Sequence, residues 1–396
     1  MASLKYWIWL SECKGLTMRS KHLLLEHFGS PEEIWCAEEE SLRVIPELDP
    51  QQVPLLADKS FARADEILAA CREKEIRIIT LHDAEYPVRL RNIFEPPCLL
   101  YVRGRMPCFD EEAAIAMVGT RRATPYGIKT AEELGYALSR QGALVVSGGA
   151  HGIDTASLRG ALRAGGKAAA VLGCGVDVVY PAGNGQLFAD IAAVGALISE
   201  YPPGTLPESW HFPVRNRIMS GLCVGTLVVE APEGRSGALI TANDAIEQGR
   251  DLFAVPGPID APMSRGCNRL IAENAFIALD AQTILREYVA MFPDKLAPAA
   301  VELPERMGEE SARPQAEKEK EELPVLDLRR GTAGLTDDQI TLVKLLRDGP
   351  MQADDLIDLS ELPTRRVLSA LTVLQIDGYI EENSGKIFSL RVKIVD

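Results

Sequence analysis

The chain has 396 residues, 25% of them charged and 46% hydrophobic, with a formal net charge of −15. That length exceeds one ordinary core, so two or three domains are expected, with the composition of a globular protein. The acidic balance excludes adhesion of the whole surface to nucleic acid, but a local basic cleft would still attract a polyanion.

Residues 1 to about 60 read as short helices. In "MRSKHLLLEHFGSPEEIW" apolar residues recur at helical spacing until Gly29 and Pro31 interrupt them. The N-terminal "YWIWL" is too short for the apolar core of a secretion signal, and no stretch approaches a membrane span. A cytoplasmic protein with no membrane partner is expected. A helix at 61–74, a strand at "IRIIT" (76–80) and a turn-rich passage to "PPCLLYVRG" (96–104) follow.

From residue 113 short apolar runs alternate with amphipathic stretches. The runs are "AIAMVG" (114–119), "ALVVSG" (143–148), "AAAVLG" (168–173), "ALISE" (196–200), "TLVVEA" (226–231), "LFAVPG" (252–257) and "AFIALD" (275–280). Helical patterns fill gaps such as 125–141 and 237–249. Buried parallel strands joined by crossover helices have this signature, which predicts a doubly wound, mostly parallel α/β sheet. Residues 291–334 are charged and aperiodic, as in a linker. The last sixty residues predict three helices and a hairpin turning at Asn383–Gly385, with a helix N-cap at Thr336 and Pro363 ahead of the third helix. That is winged-helix grammar, with only Arg365 and Arg366 as basic residues on the third helix. The expected division is a helical domain at 1–60, a sheet domain at 61–290, a linker at 291–334 and a winged helix at 335–396.

Ligands of an open α/β sheet collect beyond the carboxyl ends of its strands. The segments expected there include "TRRATPYG" (120–127), "GGAHGID" (148–154), "CGVDVVYPAGN" (174–184), "YPPG" (201–204), "APEGRSGALITA" (231–242) and "PGPID" (256–260). Glycines such as Gly148 and Gly149 let backbone N–H groups approach phosphates, and Arg121, Arg122 and Arg235 supply bidentate contacts. "HFPVRNRIMSG" (211–221) reads as a loop becoming a helix whose mouth shares that rim. Phe212 offers a face on which a base can stack, with Arg215, Asn216 and Arg217 beside it. Each has a plainer reading: the glycines as tight turns, the arginines as ion-pair residues, Phe212 as core. His151 and Asp154 suggest an acid–base pair, but no nucleophile motif accompanies them. Five histidines lack ligand spacing, so no metal is expected. Eight cysteines without a C-x-x-C pair read as reduced thiols. "GGAHG" is not the dinucleotide fingerprint, so no cofactor is expected.

In order along 60–290, "YPVRLRNIFEPPCLLYVRG", "VGTRRATPYG", "SGGAHGIDTAS", "GCGVDVVYP", "SEYPPG", "FPVRNRIMSGL", "VVEAPEGRSGALITA" and "AVPGPI" resemble the motifs of the DNA-processing protein A (DprA, or Smf) family, with Thr120 where the family has Ser. The resemblance implies an extended Rossmann-like sheet, an N-terminal domain like SAM or helix-hairpin-helix modules, and a C-terminal winged helix. It implies a non-enzymatic recombination mediator that binds and protects single-stranded DNA and loads RecA recombinase, as in natural transformation, and a homodimer formed through the sheet domain. DNA contacts are then expected from Gly119, Thr120, Arg121, Arg122, Phe212, Arg215, Asn216, Arg217, Ser236 and Gly237, with Ser147, Gly148 and Gly149 lining the pocket. The competing reading is a nucleotide phosphoribohydrolase on a related fold. Its P-G-G-x-G-T-x-x-E motif could fall only on "APEGRSGALITA", which lacks the G-T and the trailing Glu.

Overall fold

In the computed structural model the described residues are 2–234, 236–296, 325–327, 335–360, 362–383 and 387–395. The chain forms two compact units, Met1–Leu303 and Pro304–Asp396.

The first unit is built on a nine-stranded sheet: β1 (Arg77–Thr80), β2 (Leu99–Gly104), β3 (Ala114–Val118), β4 (Leu144–Ser147), β5 (Ala168–Val171), β6 (Ala196–Ser199), β7 (Gly225–Val228), β8 (Asp251–Ala254) and β9 (Phe276–Ile277). Their order is β1-β2-β6-β5-β4-β3-β7-β8-β9. The seven strands from β6 to β9 run parallel. β1 and β2 pair antiparallel, and β2 lies antiparallel on β6, with Tyr101 opposite Ser199. Strands β3 to β7 are buried along their whole length, which is why each reads as a continuous apolar run rather than an alternation.

Helices α1 (Ala2–Glu12), α2 (Met18–Phe28), α3 (Pro31–Cys36), α4 (Glu39–Arg43), α5 (Ala62–Glu73) and α6 (Val88–Arg91) precede or interrupt the antiparallel edge. Thr17 and Ser30 cap α2 and α3, and Gly29 ends α2 in the left-handed conformation at φ 81°. Trp7, Ile8, Leu24, Ile34 and Leu56 join Leu100, Tyr101 and Val102 of β2 in one continuous core. Crossovers are made by α7 (Pro125–Arg140), α8 (Ile153–Arg163), α9 (Gly185–Val194), α10 (His211–Leu222), α11 (Gly237–Glu247) and α12 (Arg265–Ala272), with α13 (Ala281–Leu285) following β9. The chain starts the parallel sheet at β3, winds outward to β6, then returns through α10 to β7 on the other side of β3. The reversal between β3 and β7 is the topological switch point, where such sheets open a crevice.

Residues 291–296, expected in the linker, still belong to this unit, with Phe292 and Leu296 buried in its core. Most of the expected linker, 297–324 and 328–334, lies outside the described residues.

The second unit packs α14 (Asp337–Leu345), α15 (Ala353–Ser360) and α16 (Thr364–Ile376) against a small sheet of β11 (Met351–Gln352), β13 (Ile387–Leu390) and β12 (Ile380–Asn383). Thr336 and Gln339 form a reciprocal capping box at the start of α14. Leu342, Val343, Leu356, Val367, Leu371, Leu374 and Ile380 are its core. β10 (Val325–Asp327) pairs in parallel with β14 (Lys393–Val395). This is a winged helix. Among the described residues no helix is long and apolar enough to cross a membrane.

Candidate nucleic-acid interface

A cleft of about 500 Å³ lies at the switch point. Gly119 to Arg122 from the β3–α7 loop form one wall, and Ser236 to Ala238, Ile240 and Thr241 at the start of α11 form another. Ala150 and Asp154 follow β4, while Phe212, Pro213, Arg215, Asn216 and Met219 come from α10. Helical periodicity selects these: Phe212, Asn216 and Met219 stand at i, i+4 and i+7 on one face. α10 is helical from His211 onward, so Phe212 sits in its first turn rather than in a preceding loop.

The loop carrying Arg121 is held in place from below. Glu230, buried just past β7, accepts from Thr124 N at 2.9 Å and from Thr124 Oγ1 at 2.5 Å. Thr120 N donates to the Glu230 carbonyl at 2.8 Å, and Thr124 caps α7 by accepting from Gly127 N. Gly152, at φ 78°, lets α8 begin against the Thr120 carbonyl, which any Cβ there would strike. So fastened, the loop presents Arg121 with its guanidinium 4.5 Å from the centre of the Phe212 ring, an arrangement that fixes both groups. Tyr180 also lines the cleft, its ring tilted against Phe212 at 5.7 Å.

Arg215 has a different role. It is buried, with Nη1 donating to the Gly148 carbonyl at 2.6 Å and to that of Val171, and Nε donating to Asn216 Oδ1 at 3.1 Å. It thereby ties the ends of β4 and β5 to α10. A side chain at Gly148 would collide with this guanidinium. Burial pushes the Asp154 carboxyl up and the Arg215 guanidinium down, and each charge opposes the other's shift. Asp154 also accepts from Ala150 N at 3.3 Å, so the positive end of α8 already holds a carboxylate. The start of α11 has no side-chain cap, and Asn216 Nδ2 reaches its Gly237 carbonyl at 3.3 Å. Its first N–H groups lack intrahelical partners and open on the cleft beside Arg121 and Arg122, a chemistry that suits an anion.

Four residues expected at the site do not line the cleft: Gly148, whose carbonyl is taken by Arg215, and three more. Arg217 is about 100° round the helix from Asn216, where Nη2 donates to Glu200 Oε2 at 2.6 Å in a largely buried pair. Ser147 donates to the Met117 carbonyl at 2.6 Å, stitching β4 to β3 inside the core. Gly149 is covered by Phe188 and accepts from Asn184 Nδ2 at 2.9 Å. His151 is exposed, Asp154 is buried, and no hydrogen bond joins them, so the suggested acid–base pair does not form. Arg235 lies outside the described residues.

Glu230, Thr124, Tyr180 and Asn184 gave no sequence signal of their roles. An i, i+4, i+7 count along 211–222 would have separated Phe212 and Asn216 from Arg217. Asp177, in the β5–α9 loop, gathers three elements: it accepts from Lys74 Nζ at the end of α5 at 2.5 Å and from Gly204 N at 2.8 Å. Burial works to raise its pKa, but these bonds outweigh it and hold the carboxyl below its ordinary range.

Fold and cleft together define an α/β protein with a basic, aromatic-lined cleft at the switch point of its sheet. The profile of the "DNA recombination-mediator protein A" family matches residues 77–289, and that of the "DprA winged helix domain" matches 309–386. The chain is 40% identical to the DNA processing protein DprA of Bacillus subtilis over 230 residues, covering 58% of this chain and 77% of that protein. It is 32% identical to the protein Smf of Synechocystis over 402 residues, covering 98% of each. The X-ray structure of DprA from Streptococcus pneumoniae superposes with a TM-score of 0.62 at 34% identity, covering 72% of this chain and 97% of that one. The chain belongs to the DNA recombination-mediator protein A (DprA/Smf) family.

Proposed function

We propose that this protein binds single-stranded DNA in the switch-point cleft, protects it and hands it to RecA recombinase, without catalysing a reaction on it. One observation carries the reading: the Arg121 guanidinium and the Phe212 ring, 4.5 Å apart, open beside the uncapped start of α11. Phosphates take the guanidinium and backbone N–H groups, and an unstacked base takes the ring. A duplex keeps its base faces stacked and offers the ring nothing, so single strands are the preferred ligand. Gly119, Thr120, Arg121, Arg122, Phe212, Ser236 and Gly237 make the direct contacts, and Arg215 and Asn216 hold their frame. RecA loading and a part in natural transformation belong to the same proposal, supported by the match to a recombination-mediator family.

The working form is a homodimer joined through the sheet unit. In support, β9 pairs with β8 on one side only, and Phe276, Ile277 and Leu279 at that edge are exposed. Sedimentation should give a dimer for the wild type and a monomer for Ile277→Asp.

The decisive experiment is a salt-resolved titration with single- and double-stranded oligonucleotides. Arg121→Ala should weaken single-strand binding and lower the slope of log affinity against log salt by about 0.7, one phosphate's share. Its melting temperature should match the wild type, because the side chain is exposed. Equal affinity of the wild type for duplex and single strand would refute the reading.

A further inference from the structure

Of the four tryptophans, Trp7 and Trp9 are buried and Trp35 stacks on Phe61 at 3.9 Å, whereas Trp210 is 59% exposed. That ring lies open to a ligand on a turn that borders the cleft. Its setting is fixed. The indole Nε1 donates to Glu208 Oε2 at 2.6 Å, and the ring meets His211 at 4.1 Å and Tyr201 at 6.3 Å. Both contacts are edge-to-face, at 69° and 84°, and among the described residues no ring lies parallel on the indole. The turn that carries it is a wall of the cleft. Pro207, Ser209, Phe212 and Pro213 line that space, while Trp210 between them does not. The indole is thus exposed on the turn whose neighbours line the cleft.

We propose that Trp210 is a second base-stacking platform, taking a nucleotide of a single strand that leaves the cleft over the 207–213 rim. The inference rests on the reading of the cleft as a single-strand site. Stacking alone is its source of affinity, because Glu208, the charged group that holds the indole, is acidic and offers no phosphate contact. The platform lengthens the footprint without adding to the salt dependence. Held by Glu208 and the two rings, the indole is ordered before the strand arrives, so little side-chain freedom is lost on binding.

The test uses the full chain with oligothymidylates of about four and about sixteen nucleotides, the range of site sizes of single-strand-binding folds. The long strand should quench indole emission in the wild type, and this change should be absent in Trp210→Phe. Trp210→Ala should bind the long strand about tenfold more weakly, about 1.4 kcal/mol, with the salt slope unchanged and the short strand bound as before. Trp210→Phe should restore the affinity. Arg121→Ala should weaken both lengths. Wild-type affinity of Trp210→Ala for the long strand, without quenching in the parent, overturns the platform and leaves the cleft reading intact. Equal losses on both lengths also overturn it, since a rim platform acts only on strands that reach it. Failure of the wild type to bind either strand would bring down both.

Discussion

Arg121, Arg215 and Arg217 are chemically one residue in three situations, and burial decides what each does. Arg121 is exposed, held only against the face of Phe212, and so open to a ligand. Arg215 is enclosed, so Arg215→Ala should leave Asp154 as an uncompensated buried charge and cost about 3–5 kcal/mol in urea unfolding. Asp154→Asn in the same background should recover part of that loss, because it removes the charge rather than the packing. Arg217→Ala should destabilise likewise through Glu200, with no change in the salt slope of DNA binding. The sequence displayed all three arginines equally; it could not display Glu200 and Asp154 as partners, since both pairings are tertiary. A further titratable group, Asp244 on α11, has its carboxyl pushed up to about 6 by burial and by Glu247, with Arg217 opposing. Unfolded, it titrates near about 4. Between those values the folded state keeps a proton the unfolded chain has lost, so stability falls as pH rises through that window. Asp244→Asn should therefore raise the melting temperature above pH 6, an advantage that closes as the pH approaches about 4.

At the scale of elements, the parallel strands were legible because each is a short apolar run buried on both faces, and the observed strands fall within or beside those runs. α10 was half legible: its apolar residues were read as helix, but Pro213 suggested a preceding loop. Proline is tolerated in a first turn, where the N–H lacks a partner, so the helix starts two residues before it. The β3–α7 loop owes its form to Glu230, a residue a hundred positions away that sequence pattern could not assign. Glu230→Ala should release that loop. The expected outcome is a loss of single-strand affinity exceeding what the fall in stability explains, accompanied by faster hydrogen exchange at Thr120 and Thr124.

Over the whole molecule, the winged helix stands as a unit with its own core. Of its two basic candidates, Arg366 is engaged bidentately by Asp338 at 2.6 and 2.8 Å. Removing residues 304–396 should leave single-strand affinity within about tenfold, about 1.4 kcal/mol, of the full chain. The opposite end of the protein is not separable in the same way, because its helices share the core of the sheet. Here the antiparallel pairing of β2 with β6 has a consequence for the order in which the protein can form. β1 and β2 leave the ribosome early, yet the strand that β2 must join spans Ala196–Ser199. Until then a nascent chain carries an open strand edge beside helices whose apolar faces lack their final cover. Such delayed, long-range closure slows folding and exposes intermediates to association. Fragments ending before residue 196 should aggregate when expressed alone, while a chain ending at 303 should stay in solution.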